Sequence, residues 1–493
     1  MERVKVFKRS ALTIVLTLML VLSMVLGAAA QDAPQASTPK NLSTNFTLVN
    51  LEAGTNSGSI NYYKPDGSQW KAAESFSFTA RGDQVIKRQY QDAALPNGSG
   101  SVVVSASGKL GAVVQVTAQN QTATSGAYSG ASVSSSSANI PLVQRKRTTA
   151  SGPSSSQIVV QNAGTAATTA DIKIIKADGT VQFTKAGVAL AVGAAFNYDL
   201  ADEADANIPT EFFGSAVVTA GSGGQIVVVS NLFIGSDSVQ TFNAFITPGQ
   251  SWLAPLVTSR LANNLSTPVA VQNLSTNAIP VGGAKLICKK DPTSASATGD
   301  FTASNATAIG PTASYFFNPV TDLTNLPTDW FGSCRIDTTG FDSVVFVQMR
   351  YVGGSNGNQA AAYEAIQATG TNKTVTFPLY AKRLANGFST AMTIQNLSTS
   401  AAANVTLTYK KGDASLPDTC NLTKQASIPA GGSLIQNHRL TSGANSVPEL
   451  SDTCFGTLVV TSSDQPIDGF AQLTDVSGKA GDTFMAHDGF ATP

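Results

Sequence analysis

Val271-Gln272-Asn273-Leu274-Ser275-Thr276 returns as Ile394-Gln395-Asn396-Leu397-Ser398-Thr399, and this repeated phrase decides how the chain is read. Weaker copies are Val160-Gln161-Asn162 and Val49-Asn50-Leu51, so the asparagines 50, 162, 273 and 396 mark four units 112, 111 and 123 residues apart. Working upstream, Ile140-Pro141-Leu142-Val143, Ala254-Pro255-Leu256-Val257 and Phe377-Pro378-Leu379-Tyr380 precede three of the four phrases. Downstream, Phe213-Gly214-Ser215, Phe331-Gly332-Ser333 and Phe455-Gly456-Thr457 recur in register, and Gly100-Ser101 holds that place in the first copy. Two independent landmarks with matching spacing identify tandem repeats of a size suited to one domain each. The boundaries follow: 1–30 a leader, 31–40 a linker, then repeats at 41–139, 140–253, 254–376 and 377–493.

Inside each repeat the hydrophobic period is two. Val405, Leu407 and Tyr409 alternate with Thr406, Thr408 and Lys410, and Ile172 and Ile174 flank Lys173, the pattern of a strand with one buried face. Lys64-Pro65-Asp66-Gly67, Lys176-Ala177-Asp178-Gly179 and Lys410-Lys411-Gly412-Asp413 follow such strands and read as hairpin turns needing positive φ. Further strands are expected at Val102–Ser105, Val217–Thr219 and Leu458–Thr461, and next at Gly111–Ala118, Gln225–Phe233, Ser343–Tyr351 and Ile467–Leu473. Long amphipathic helices are absent from the pattern. Short strands divided by Gly, Ser, Asn and Pro predict an all-β chain of four tandem antiparallel β-sandwich domains. As an architecture this resembles the immunoglobulin-like or fibronectin-III-like modules of bacterial cell-surface proteins, without the paired Cys and central Trp of antibody domains.

The first thirty residues are a separate object. Arg3, Lys5, Lys8 and Arg9 precede an apolar run from Ala11 to Gly27 that ends in Ala28-Ala29-Ala30, the order of a cleavable signal peptide. Export is the expectation, to the cell surface or beyond, with no membrane span in the mature chain. Removing the leader turns 31 basic against 31 acidic residues into 27 against 30. That balance excludes a nucleic-acid binder, which needs a basic excess. Cys288 and Cys334 fall in the third repeat, Cys420 and Cys454 in the fourth. In an exported chain these read as two intradomain disulfides, each worth ~3–4 kcal/mol.

Nothing assembles into a catalytic, cofactor or metal constellation, and no enzyme is expected. His438 and His487 are the two histidines; the first reads as a loop residue and the second as an exposed strand residue aligned with Glu364 and Asn243. Asp202, Glu203 and Asp205 read as a solvated loop, with a weak calcium site as the alternative. Arg81-Gly82-Asp83 reads as a strand turn, Trp330 as core and Trp70 as surface. Lys146, Arg260 and Arg383 align and read as a solvated strand face or an interdomain salt bridge. Eleven Asn-x-Ser/Thr sequons occur, of which Asn273 and Asn396 belong to the repeated phrase and suit a turn at a strand end.

Because the Pro-Leu segment occurs three times among four repeats, one terminal repeat has an unpaired sheet edge. The first lacks it if the segment opens a repeat, the fourth if it closes one. Such an edge is a template for strand addition, and head-to-tail self-association follows as an expectation unless Gln31 to Lys40 fills the gap. The functional expectation is a secreted or surface structural or adhesive protein, with envelope proteins or glycans as partners. The alternative is an extracellular carbohydrate- or ligand-binding protein.

Overall fold

The computed structural model describes residues 16–22, 42–118, 124–149, 152–321, 326–351, 359–475 and 481–493, the first of these as backbone alone. The rest of the expected leader, the expected linker 31–40 and the sequons Asn41 and Asn120 lie outside the described residues.

The first repeat comprises β1 (Leu16–Leu22), β2 (Leu42–Asn50), β3 (Asn56–Tyr63), β4 (Gln69–Phe78), β5 (Gln84–Arg88), β6 (Gly100–Ala106), β7 (Leu110–Ala118) and β8 (Ser125–Ser129). The second holds β9 (Ser137–Arg145), β10 (Arg147–Thr149), β11 (Gly152–Asn162), β12 (Thr168–Lys176), β13 (Val181–Leu190), β14 (Ala195–Asp199), β15 (Phe212–Ala220), β16 (Ile226–Ile234) and β17 (Ser238–Asn243). In the third are β18 (Ser251–Ser259), β19 (Leu265–Ser266), β20 (Val269–Asn273), β21 (Lys285–Lys290), β22 (Phe301–Ser304), β23 (Ser314–Phe317), β24 (Trp330–Asp337), β25 (Ser343–Tyr351), β26 (Ala360–Glu364) and β27 (Ile366–Gln367). The fourth contains β28 (Thr374–Ala381), β29 (Phe388–Asn396), β30 (Ala403–Lys411), β31 (Leu422–Ile428), β32 (Ser433–Asn437), β33 (Phe455–Ser462), β34 (Ile467–Asp475), β35 (Met485–Asp488) and β36 (Phe490–Thr492).

These strands form eight antiparallel sheets, two from each repeat. Their orders are β1-β6-β3-β4 and β5-β2-β7-β8 in the first repeat, then β13-β12-β15-β9 and β10-β11-β16-β17 in the second. The third has β22-β21-β24-β18-β27 and β19-β25-β20-β23, and the fourth β31-β30-β33-β28-β36 and β32-β29-β34-β35. The chain is all-β, as its period-two alternation requires. Val405, Leu407 and Tyr409 point into the core while Asn404 and Thr408 face out; burying each such side chain contributes roughly 1.5–3 kcal/mol.

The chain divides into two compact units, Met1–Ile246 and Thr247–Pro493. In the first, Phe46, Leu48, Ile60, Tyr62, Val102 and Val104 share one apolar cluster with Val159, Val227, Val229 and Val239 of the second repeat. The fourth repeat buries Phe377, Tyr380, Met392, Ile394, Leu407 and Leu458 between its own two sheets. Among the described residues, no helix is long and apolar enough to cross a membrane.

The turns expected after β3 and β12 form with Gly67 at φ +82° and Gly179 at +89°. Each glycine N–H donates back to Lys64 or Lys176 at 2.9 Å. The fourth repeat departs from that expectation. Gly412 bonds to the Phe455 carbonyl instead, and the chain loops to β31 through Cys420, which is disulfide-bonded to Cys454 across 34 residues. The other bridge, Cys288–Cys334, spans 46 residues and joins directly opposed positions of β21 and β24.

Candidate functional site

The repeated residues serve the frame of each sheet pair. Asn50, Asn162, Asn273 and Asn396 are buried at the ends of β2, β11, β20 and β29. Each Nδ2 donates to two carbonyls of loops or strand ends: Gly54 and Ala80 (2.8 and 3.0 Å), Ala166 and Leu190 (2.8 and 3.0 Å), Asn277 and Ile309 (2.8 and 2.9 Å), Ala401 and Ile428 (2.8 and 3.1 Å). Each Oδ1 accepts a backbone N–H two residues on. The side chain thus replaces several main-chain bonds that the loops cannot make alone. The same burial closes Asn273 and Asn396 to modification, and their sequons follow from the frame.

The glycine landmark has an equally local cause. A Cβ at Gly100, Gly214, Gly332 or Gly456 would stand 2.1, 1.9, 2.1 or 2.0 Å from the carbonyl oxygen of Tyr63, Ile175, Lys289 or Lys410. Only glycine lets the strands approach so closely.

The Pro-Leu segments open their repeats. Strands β9, β18 and β28 pair with β15, β24 and β33 of their own repeat. Each begins three residues before the boundary read from the sequence, at Ser137, Ser251 and Thr374. A corner follows in which Lys146, Arg260 and Arg383 take left-handed φ values of 46°, 48° and 42°. Their N–H groups donate to Ser155, Ser266 and Ser389 Oγ at 2.9, 3.0 and 2.8 Å. The aligned basic residues therefore mark a backbone corner, which corrects their reading as a strand face or interdomain bridge.

A cation at each corner also secures the loop that ends in Ile208-Pro209, Leu326-Pro327 or Val447-Pro448. Arg145, 1% exposed, donates to the carbonyls of Leu200 (2.8 Å), Ile208 (2.7 Å) and Glu203 and to the Asp205 carboxylate (2.6 Å). Arg260 reaches the Pro319 carbonyl at 2.9 Å and that of Leu326, and Lys382 reaches Val447 at 2.5 Å. The acidic group Asp202, Glu203 and Asp205 is partly absorbed in this arrangement. Asp205 pairs with Arg145, and Glu203 accepts from Tyr198 at 2.8 Å and Asn207 at 2.7 Å.

In the first repeat the edge that β9, β18 and β28 occupy elsewhere is paired with Leu16–Leu22, which runs antiparallel to β6 from Leu16 opposite Ala106 to Leu22 opposite Gly100. Ser43 corresponds to Ser155, Ser266 and Ser389, each seven residues before its landmark asparagine. Its buried Oγ has no hydrogen-bond partner among the described residues.

Within each unit, corresponding strands of the two repeats face one another, β8 against β17 and β26 against β35. Ser129, Asn243, Glu364 and Asp488 share one ladder position. In the first unit Asn243 Nδ2 donates to the Ser129 carbonyl at 2.8 Å. In the second, Glu364 and Asp488 approach each other beside Asp468. Burial, then the charges of Glu364 and Asp468, hold the Asp488 carboxyl well above the usual range. Burial pushes Asp468 up to about 7.

His487 stands where Tyr128, Phe242 and Tyr363 stand and is 6% exposed. This corrects its reading as an exposed residue aligned with Glu364 and Asn243; Asp488 holds that place. Burial lowers its imidazole to about 4. His438 is fully buried, with Nδ1 2.8 Å from Thr390 Oγ1 and Nε2 3.2 Å from the Tyr409 hydroxyl; burial lowers it to about 3. It belongs to the core of the fourth repeat.

Arg81-Gly82-Asp83 is a turn. Gly82, at φ +81°, donates to the Asn50 carbonyl at 2.9 Å, and Asp83 Oδ2 accepts from Thr79 and Ala80. Trp330 is buried, with Nε1 donating to the Gly299 carbonyl at 3.0 Å. Trp70 is half-buried against Gly98 and Gly100. Among the described residues, no group of three His, Cys, Asp or Glu side chains could hold a metal ion. A cleft of about 480 Å³ in the first repeat is lined by Tyr62, Lys71, Glu74, Lys87, Arg88 and Asp92. Its charges are largely engaged by the pairs Lys71–Glu74, Lys71–Asp92 and Lys87–Glu74.

In comparison with known proteins, the chain matches no protein-family model and no curated protein.

Proposed function

We propose that this chain is an exported structural or adhesive protein of the cell surface, built of four immunoglobulin-like β-sandwich repeats behind a cleaved signal peptide. The observation that carries the reading is where the repeated residues point. Asn50, Asn162, Asn273 and Asn396, the corner serines and the strand glycines all turn inward and serve the frame. Outward residues drift from repeat to repeat, which is the behaviour of spacers selected for shape. Two disulfides agree with an oxidising compartment. The surface depends for solubility on hydroxyls and amides, since charged residues make up only 13% of the chain. Fractionation of cells that express the whole gene, with mass spectrometry of the mature N-terminus, tests it. Recovery at the surface or in the medium with the leader removed is expected; a cytoplasmic, uncut protein would refute it.

The second reading, an extracellular carbohydrate- or ligand-binding protein, draws on the charged cleft of the first repeat, with Tyr62 at its wall. A glycan array probed with the exported chain and with a Lys87→Ala/Arg88→Ala variant addresses it. Binding that this variant abolishes would favour the second reading over the first.

A further inference from the structure

The open edge of the first repeat fits one partner. At the corresponding edges β9, β18 and β28 end in a corner whose N–H meets a serine hydroxyl, and the first repeat's equivalent, Ser43, has that hydroxyl buried and unpartnered. The strand now seated there, β1, belongs to the leader. Residues 23–41 separate it from β2, against 260–264 and 382–387 at the equivalent steps of the third and fourth repeats. If the leader is removed on export, as in the function proposed above, the edge of β6 is left bare. Residues 31–41, all that then precedes β2, contain no Val, Leu, Ile, Met or aromatic residue with which to refill it.

The bare strand reads Gly100-Ser101-Val102-Val103-Val104-Ser105-Ala106. Ser101 to Ser105 is a palindrome about Val103. Antiparallel pairing with the same strand of a second copy sets Ser101 opposite Ser105, Val102 opposite Val104, and Val103 opposite itself on a two-fold axis. The period of two keeps the core-facing Val102 and Val104 on one face in both copies, and leaves the half-buried Val103 and Ser105 on the other. The strand has no Lys, Pro or other device that natural proteins place on a free edge to block pairing. We propose that the mature chain forms an isologous dimer through β6, joining β4-β3-β6 of two copies into one continuous sheet. Each copy then supplies the strand that the other's first repeat has lost.

Light scattering on the exported full chain, after N-terminal sequencing, reads the outcome. The wild type is expected at twice the monomer mass. Val103→Lys sets two like charges on the axis and Ser105→Lys adds charge on the same outer face; each should weaken the dimer at least tenfold while circular dichroism stays unchanged. Because Val103 meets itself, mixing Val103→Lys with Val103→Glu should restore a heterodimer that neither variant forms alone, and this arm holds even if one variant is less stable. A monomeric wild type, or Val103→Lys dimers as tight as the wild type's, overturns the proposal. So does a leader still attached in the exported chain, because the edge never opens. A leaderless surface protein that is monomeric overturns the β6 pairing and leaves the proposed function standing.

Discussion

In the unit Met1–Ile246 the two repeats meet through an amide and a carbonyl, Asn243 on Ser129, whereas in Thr247–Pro493 the same ladder position brings Glu364 towards Asp488. The second unit also holds both disulfides and both histidines. The first has neither, and its opening edge is filled by Leu16–Leu22. The landmark asparagines and strand glycines are alike in both units. The contrast teaches that this fold is held by a shared buried frame, over which redox sensitivity and proton sensitivity near neutral pH have been added on one side only. Variants that separate the two units should therefore show the frame as shared and the sensitivities as local.

The largest separation is expected from the disulfides. Replacing Cys288 and Cys334 by alanine frees a loop of 46 residues and should cost the second unit about 4 kcal/mol in the chain-entropy account. Scanning calorimetry of the exported chain reads it as a fall in one transition, which reductant should reproduce in the wild type. A first-unit transition that moves with it would break the comparison, because that unit contains no cysteine.

Next comes the frame. Asn162→Ala and Asn396→Ala each strand one buried and one part-buried carbonyl and a part-buried N–H, at a cost of roughly 2–3 kcal/mol. The effect should be equal in the two units, measured by denaturant midpoint at constant slope. Asn404→Ala, at an exposed sequon, should lie within about 0.5 kcal/mol of wild type. A difference between the units as large as the effect itself would show that the frame is not shared.

Arg145→Met follows, at about 2–3 kcal/mol, because three loop carbonyls lose a charged donor inside the second repeat. Arg260→Met should cost less, since Arg260 is only partly buried and reaches two carbonyls. Equal costs would mean that burial does not set the contribution of the corner cation.

How much of this was legible follows from what repetition can reveal. The asparagines, the Phe-Gly pairs and the strands were readable because each occurs several times in one register, and a backbone need shared by all copies leaves the same residue in each. Arg145 was hidden because Gln144-Arg145-Lys146-Arg147 shows four polar residues in a row, and linear sequence does not tell which one turns inward. Positive φ at Lys146, Arg260 and Arg383 left no signal either, since no glycine marks it. His487 was misplaced by one residue: Glu364 and Asp488 each lie 18 residues beyond their ladder partners Phe346 and Phe470, but Ile467 stands 71 residues past Asn396 where Ser343 stands 70 past Asn273, and a one-residue slip exchanges the buried and outer faces of a strand. The joint between Glu364, Asp468 and Asp488 joins residues of two repeats, and no pattern within one repeat could disclose it. The apolar run at Leu16–Leu22 carried a leader's signature and gave no hint of strand pairing.

The smallest predicted effect is the pH dependence of that joint. Asp468 has its carboxyl pushed up to about 7 by burial, above its ordinary value of 3.8. Its contribution to stability is fully present below about pH 4 and is lost as pH rises through 7. The histidines run the other way. His438, lowered to about 3, and His487, lowered to about 4, contribute fully above 6.5 and lose that contribution as pH falls towards those values. Opposed slopes should give the second unit a stability maximum between pH 5 and 7, on the order of 1 kcal/mol above its value at pH 8. Asp468→Asn should lessen the loss on the alkaline side, to which the raised Asp488 carboxyl also contributes, and change little at pH 4. His487→Phe, which restores the residue type of Phe242, should flatten the acid side. The first unit has no histidine, and its carboxyls Glu74, Glu203, Asp205 and Glu211 are held below their ordinary range, so its unfolding midpoint should stay level between pH 8 and 5. If its midpoint instead follows the second unit's across that interval, the proton sensitivity is not confined to the acidic joint.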